Sequence, residues 1–184
     1  MKLGAPLMRA LIGALFIGHG TQKLLGWFDG PGLEGTTGMM GKLGMRPPRR
    51  HALIAGAAET GGGALLATGA LTPLATTLLT STMTTAIRKV HGPKGPWVTQ
   101  GGWEYNAVLI AALTALADHG PGAASLDSKA FPRLHGRGWA LASLLGGVAG
   151  SFIASSPPFN APEPEDIERT NRFERSEERV SANA

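Results

Sequence analysis

The stretch Phe16-Ile17-Gly18-His19-Gly20-Thr21-Gln22-Lys23-Leu24-Leu25-Gly26-Trp27-Phe28 sets a histidine and a lysine one helical turn apart in an otherwise apolar segment. At about 1.5 Å rise per residue, residues 5–28 are long enough to cross a bilayer. Titratable groups inside such a segment are costly in hydrocarbon and face a protein interior or a wet cavity. The reading that follows is a membrane protein with a polar site.

The chain has 184 residues and no cysteine, so neither disulfides nor thiol chemistry are available to it. A redox role then needs a bound cofactor or a partner protein. Charge is divided along the chain. Residues 1–155 hold 13 Lys and Arg against 6 Asp and Glu, a net +7; residues 156–184 hold 4 against 7, a net −3. A basic body with loops facing anionic headgroups accounts for the first figure. No aromatic-interleaved basic patch, zinc spacing or helix-turn-helix pattern points to nucleic acid. Lys2 and Arg9 precede the first apolar run as in a signal peptide, but no small-residue cleavage site follows. The N-terminus therefore reads as an uncleaved spanning helix.

Five hydrophobic stretches order the chain: 5–28, 51–71, 73–91, 103–117 and 138–155. Between the first two, Asp29 to Arg50 reads as a loop of Gly, Pro and Met. The second is rich in small residues that permit close helix approach, among them Gly56, Thr60 and Gly61 to Gly63. The third carries many threonines, whose hydroxyls bond back to their own helix. After Pro157 prolines and charges dominate, and residues 163–180 have the pattern of a solvated helix. The expected fold is all-α: a transmembrane bundle of four core helices, a fifth C-terminal helix and a polar tail. Its divisions are a four-helix membrane domain over 1–127, a loop and fifth helix over 128–156, and a flexible tail over 157–184.

Depth carries the functional reading. His19 lies eight residues before Trp27, and Glu59 eight residues after His51. In an antiparallel pair both sit about 12 Å below one face. Lys23 is one turn from His19 on the same side of its helix. The third stretch ends on that face with Arg88, Lys89 and His91, and the fourth starts there with Glu104, Tyr105 and Asn106. His19, Lys23, Glu59, His91, Glu104 and Asn106 thus converge on one half of the bundle. The opposite half, Leu65–Leu78 and Val108–Leu116, lacks ionisable groups.

Each residue also has a plainer reading. Lys23–Glu59 is an ion pair that locks two helices. His19 is a satisfied core histidine, Arg88 and Lys89 are snorkelling anchors, and Trp27, Trp97 and Trp103 form an interfacial belt. Glu104 near a helix start complements the helix dipole. His51, His119 and His135, at helix ends and in loops, take surface roles. His19 and His91 differ in depth by two turns or more, which argues against a haem between them. No metal or flavin motif appears.

Four separated motifs occur in order: His19–Phe28, Ala58-Glu59-Thr60-Gly61-Gly62, Lys89-Val90-His91-Gly92-Pro93-Lys94-Gly95 and Gly101-Gly102-Trp103-Glu104-Tyr105-Asn106. Together they resemble the helix signatures of the DoxX family over residues 5–127. The resemblance implies a multi-pass helix bundle in the bacterial plasma membrane, linked to redox chemistry and the quinone pool. It also implies company: other membrane or respiratory-complex subunits and a soluble redox partner. On this reading His19, Lys23 and Glu59 are the catalytic candidates, His91, Glu104 and Asn106 contact substrate, quinone is the cofactor and no metal is bound. The other readings are a non-catalytic accessory subunit of a respiratory complex and a small-solute or proton pathway.

Overall fold

The computed structural model describes residues 3–162 and Pro164. It is all-helical, with seven α-helices and no strand among the described residues. The helices are α1 (Gly4–Leu25), α2 (Gly32–Lys42), α3 (Pro48–Thr68), α4 (Thr72–Ala86), α5 (Glu104–His119), α6 (Leu126–Ala130) and α7 (Arg137–Ala154). A π-helical turn, Ile87–His91, extends α4. The five longest α-helices fall on the five hydrophobic stretches. The helix expected over 163–180 lies outside the described residues, Pro164 aside.

No described helix is long and apolar enough to cross a membrane. The cause lies in composition and length. α3 carries glycines through its middle, α4 is dense in threonine, and α4 and α5 are only 15 and 16 residues long. Those small and hydroxylic residues are the ones that pack.

Glycine sets the α1–α3 contact. A Cβ built on Gly13 would lie 2.6 Å from the Gly63 carbonyl oxygen, and one on Gly63 would lie 2.7 Å from the Gly13 carbonyl oxygen. Seven residues along each helix, Gly20 and Gly56 repeat the arrangement against Thr60 and Leu24. The backbones approach because nothing projects between them. α7 packs on α4 by the same device, with Gly147 against the Thr80 side chain. The main apolar core, including Ile12, Phe16, Leu66, Leu79, Leu113 and Leu116, lies between α1, α3, α4 and α5. In α4 several threonines bond back to their own helix: Thr76 Oγ1 donates to the Thr72 carbonyl at 3.0 Å and Thr77 Oγ1 to the Pro73 carbonyl at 2.7 Å.

The Asp29–Arg50 segment is not all loop. It forms α2, whose Met40 packs with Met45 and Ala52 in a second apolar cluster against α3. Its small residues hide the helical period from the sequence, and burial of Met40 against Met45 and Ala52 docks the helix.

The end of the bundle away from His19 is not free of charge, contrary to expectation. Arg9 is buried there, 5% exposed, and its Nη1 and Nη2 donate to the Ala67 and Ala124 carbonyls. Asp127 is buried as well. Its carboxylate accepts from the Leu71 and Thr72 backbone N–H groups, both at 2.8 Å, and from Thr72 Oγ1 at 2.7 Å. Leu71 sits at φ 45°, a conformation costly for a branched side chain. Asp127 holds that turn and caps α4 from 55 residues away in sequence.

Two outcomes follow for stability. Gly63→Leu forces α1 and α3 apart and lowers the melting point of the purified protein by the equivalent of about 1–3 kcal/mol. Gly61→Ala, where a Cβ meets nothing within 4 Å, does not lower it. Asp127→Ala orphans three donors and costs about 1–3 kcal/mol, read in the same thermal melt.

Candidate functional site

One cavity of about 510 Å³ opens among α1, α2, α3, α4 and its π-turn, α5 and the end of α7. Its walls change character along the helix axes. On α1, Ile12, Leu15 and Phe16 give way to His19 and Lys23; on α4, Leu78 gives way to Ser81, Thr82, Thr85 and then Lys89 and His91. α5 runs the other way, from Tyr105 and Asn106 to Leu109. The pocket is therefore apolar toward the middle of the bundle and polar toward one end.

Five of the six expected site residues line this cavity: His19, Lys23, Glu59, His91 and Asn106. Glu104 does not. Its Oε1 accepts from the Val98 backbone N–H at 2.7 Å and fastens the loop before α5. The sequence places Glu104 at the right level, but the first turn of α5 faces its side chain to the preceding loop.

Lys23 and Glu59 form the centre of the site. Lys23 Nζ donates to Glu59 Oε2 at 2.5 Å, the one salt bridge among the described residues. Glu59 is buried and Lys23 partly so. The glycine-mediated approach of α1 to α3 brings the two side chains together. Breaking a pair this desolvated leaves a buried charge uncompensated. His19, one turn back, lines the cavity while remaining exposed and has no hydrogen-bond partner among the described residues.

The π-turn supplies the facing wall. The Gly92 backbone N–H donates to the Ile87 carbonyl, the i→i+5 pattern, and Lys89, Val90 and His91 all reach the cavity. Such turns recur at functional sites because they re-aim side chains within a helix. His91 Nδ1–H donates to the Gly101 carbonyl at 2.6 Å, which fixes the ring and leaves Nε2 as the acceptor of the neutral form. Asn106 Nδ2 donates to Met83 Sδ at 3.3 Å. Arg88, read as an interfacial anchor, instead ties down α7. Its Nη1 donates to the Ser151 carbonyl at 2.9 Å, and its guanidinium lies 3.7 Å from the Phe152 ring centroid.

Two contributors escaped the sequence reading. Met39, Met40 and Met45 from α2 and the turn after it roof the cavity. His51, expected at the surface, is 4% exposed and lines it too. His51 Nε2 lies 3.1 Å from the carbonyls of both Arg46 and Phe159. Phe159 and Asn160, beyond α7, fold back over the α2–α3 junction, where Asn160 Oδ1 accepts from the Arg46 backbone N–H at 2.6 Å. A contact 108 residues away in sequence helps to cover His51. Local pattern gives no sign of it.

Among the comparisons with known proteins, the DoxX family model matches residues 4–92, from α1 through the π-turn. The Gly101–Asn106 segment lies beyond the match. No curated protein and no solved structure matches the chain. The family is generally membrane-associated. Residues 4–92 are thus similar to the DoxX family, a match consistent with a DoxX-family protein.

Proposed function

We propose that the chain is a multi-pass membrane protein whose cavity binds a quinone, with Lys23, Glu59 and His19 as its working polar groups. The observation that carries the reading is the cavity itself: an apolar pocket of about 510 Å³ with a few convergent polar side chains at one end. That lining fits an amphiphile with a flat carbonyl-bearing head and an apolar tail.

The outer surface supports placement in lipid. Leu7 and Leu11 form an exposed stripe along the first half of α1, and Leu141, Leu145 and Phe152 expose a second along α7. Contiguous apolar surface of this kind marks contact with a membrane or a partner. Trp27, Trp97 and Trp103 are exposed near the cavity end, and Trp139 is exposed at the start of α7, toward the other end. Two aromatic levels about one helix length apart suit the two interfaces of a bilayer. α4 and α5 are short and α3 and α4 carry glycine and threonine where they pack, while leucines stand on the outward faces of α1 and α7.

Bound there, a quinone supplies two-electron, two-proton chemistry, with electrons from a partner protein. The chain's own residues hold and deliver protons. Protonated Lys23 donates a hydrogen bond to a head-group oxygen and stabilises negative charge on it. Glu59 holds Lys23 in place and exchanges protons behind it. His19, exposed at the cavity wall, connects the pair to the outside. His91 and Asn106 bound the head group on the opposite side.

An accessory role within a larger membrane assembly is the second reading, favoured by the α1 leucine stripe, which suits a partner helix as well as lipid. A chain that elutes alone from mild detergent counts against it.

Quinone titration of the purified protein tests the main reading through quenching of tryptophan fluorescence. Glu59→Gln, which releases Lys23, and His19→Ala, which removes a polar group from the cavity wall, each weaken binding about tenfold. Equal binding by wild type and both variants overturns it.

A further inference from the structure

Among the described residues, the charges that line the cavity do not balance. The described carboxylates outside it are Asp29, Glu34, Glu104, Asp118 and Asp127; only Glu59 lines it, and Lys23 already neutralises Glu59. Lys89 also lines the cavity, partly buried, with no hydrogen bond or salt bridge to any described residue. Its neighbour Arg88 is spent on Ser151 and Phe152 of α7. Glu104, the acid closest to it along the chain, is tied to the Val98 N–H.

The Lys89 ammonium stands at a largely apolar wall, partly exposed and with no opposite charge beside it among the described residues. The π-turn presents Lys89 beside His91, across the polar end from Lys23 and Glu59. A bound molecule with one negative charge on an apolar body completes the set, since the pocket then holds two cations and two anions. A neutral head group leaves Lys89 uncompensated.

We propose that Lys89 makes this cavity selective for amphipathic acids, molecules with a long apolar body and a single anionic head, over their neutral counterparts. The inference rests on reading the cavity as the site of a quinone-like amphiphile, and it names the charge that this site prefers. Two sources share the chemistry: a long-chain carboxylate and an alkylated ring with an ionised hydroxyl.

The test is isothermal titration calorimetry on the full chain in phosphatidylcholine nanodiscs at neutral pH. Four probes are used in two matched pairs: palmitate against hexadecanol, and an alkylated hydroxynaphthoquinone against the same ring without the hydroxyl. In at least one pair the acid binds about tenfold or more tightly, as expected for a charge-assisted contact. Which pair shows the preference identifies the source. Lys89→Met abolishes the preference and leaves neutral-probe affinity unchanged, and Lys89→Arg restores it. Equal affinity for acid and neutral partner in both pairs overturns the proposal. So does a preference that survives Lys89→Met. The non-hydroxylated naphthoquinone reports separately on the quinone reading, because its failure to bind sinks that reading and leaves the palmitate comparison intact.

Discussion

The close approach of α1 and α3 is the constraint on which the rest of the structure depends. Gly13 and Gly20 face Gly63 and Gly56, so two antiparallel helices meet backbone to backbone at two levels. That register sets Lys23 against Glu59 at 2.5 Å. A bulkier residue at any of these glycines separates the helices, and the ion pair that frames the cavity separates with them. Packing, electrostatics and site geometry are here a single arrangement.

The two ends of the bundle use buried polarity differently. At one end Arg9 and Asp127 serve connection: each bonds backbone groups, and together they fasten the α3–α4 turn and the segment before α6. Their polar atoms are largely consumed. At the other end the Lys23–Glu59 pair, His19, Lys89 and His91 line open volume, with capacity left over. Unspent polar groups beside an apolar cavity are the physical basis for placing function at that end.

Much of this was legible in the sequence. Hydrophobic stretches located α1, α3, α4, α5 and α7, because each is long enough for composition to dominate local noise. Helical spacing and antiparallel depth brought His19, Lys23, Glu59, His91 and Asn106 to one level, and all five line one cavity. The misses share a cause. α2 is held by the burial of Met40, His51 is covered by Phe159, and Asp127 caps a helix far from it in sequence. Glu104 was displaced by a local hydrogen bond to Val98. Long-range docking and side-chain direction leave no periodic trace.

A double-mutant cycle on the ion pair tests the central claim most directly, with Lys23→Met, Glu59→Leu and the double variant compared by thermal melting in detergent. If the pair locks α1 to α3 inside a desolvated wall, each single variant strands a charge and loses about 3–5 kcal/mol, while the double variant recovers most of that loss. Additive losses, or single variants that melt like the wild type, contradict the account.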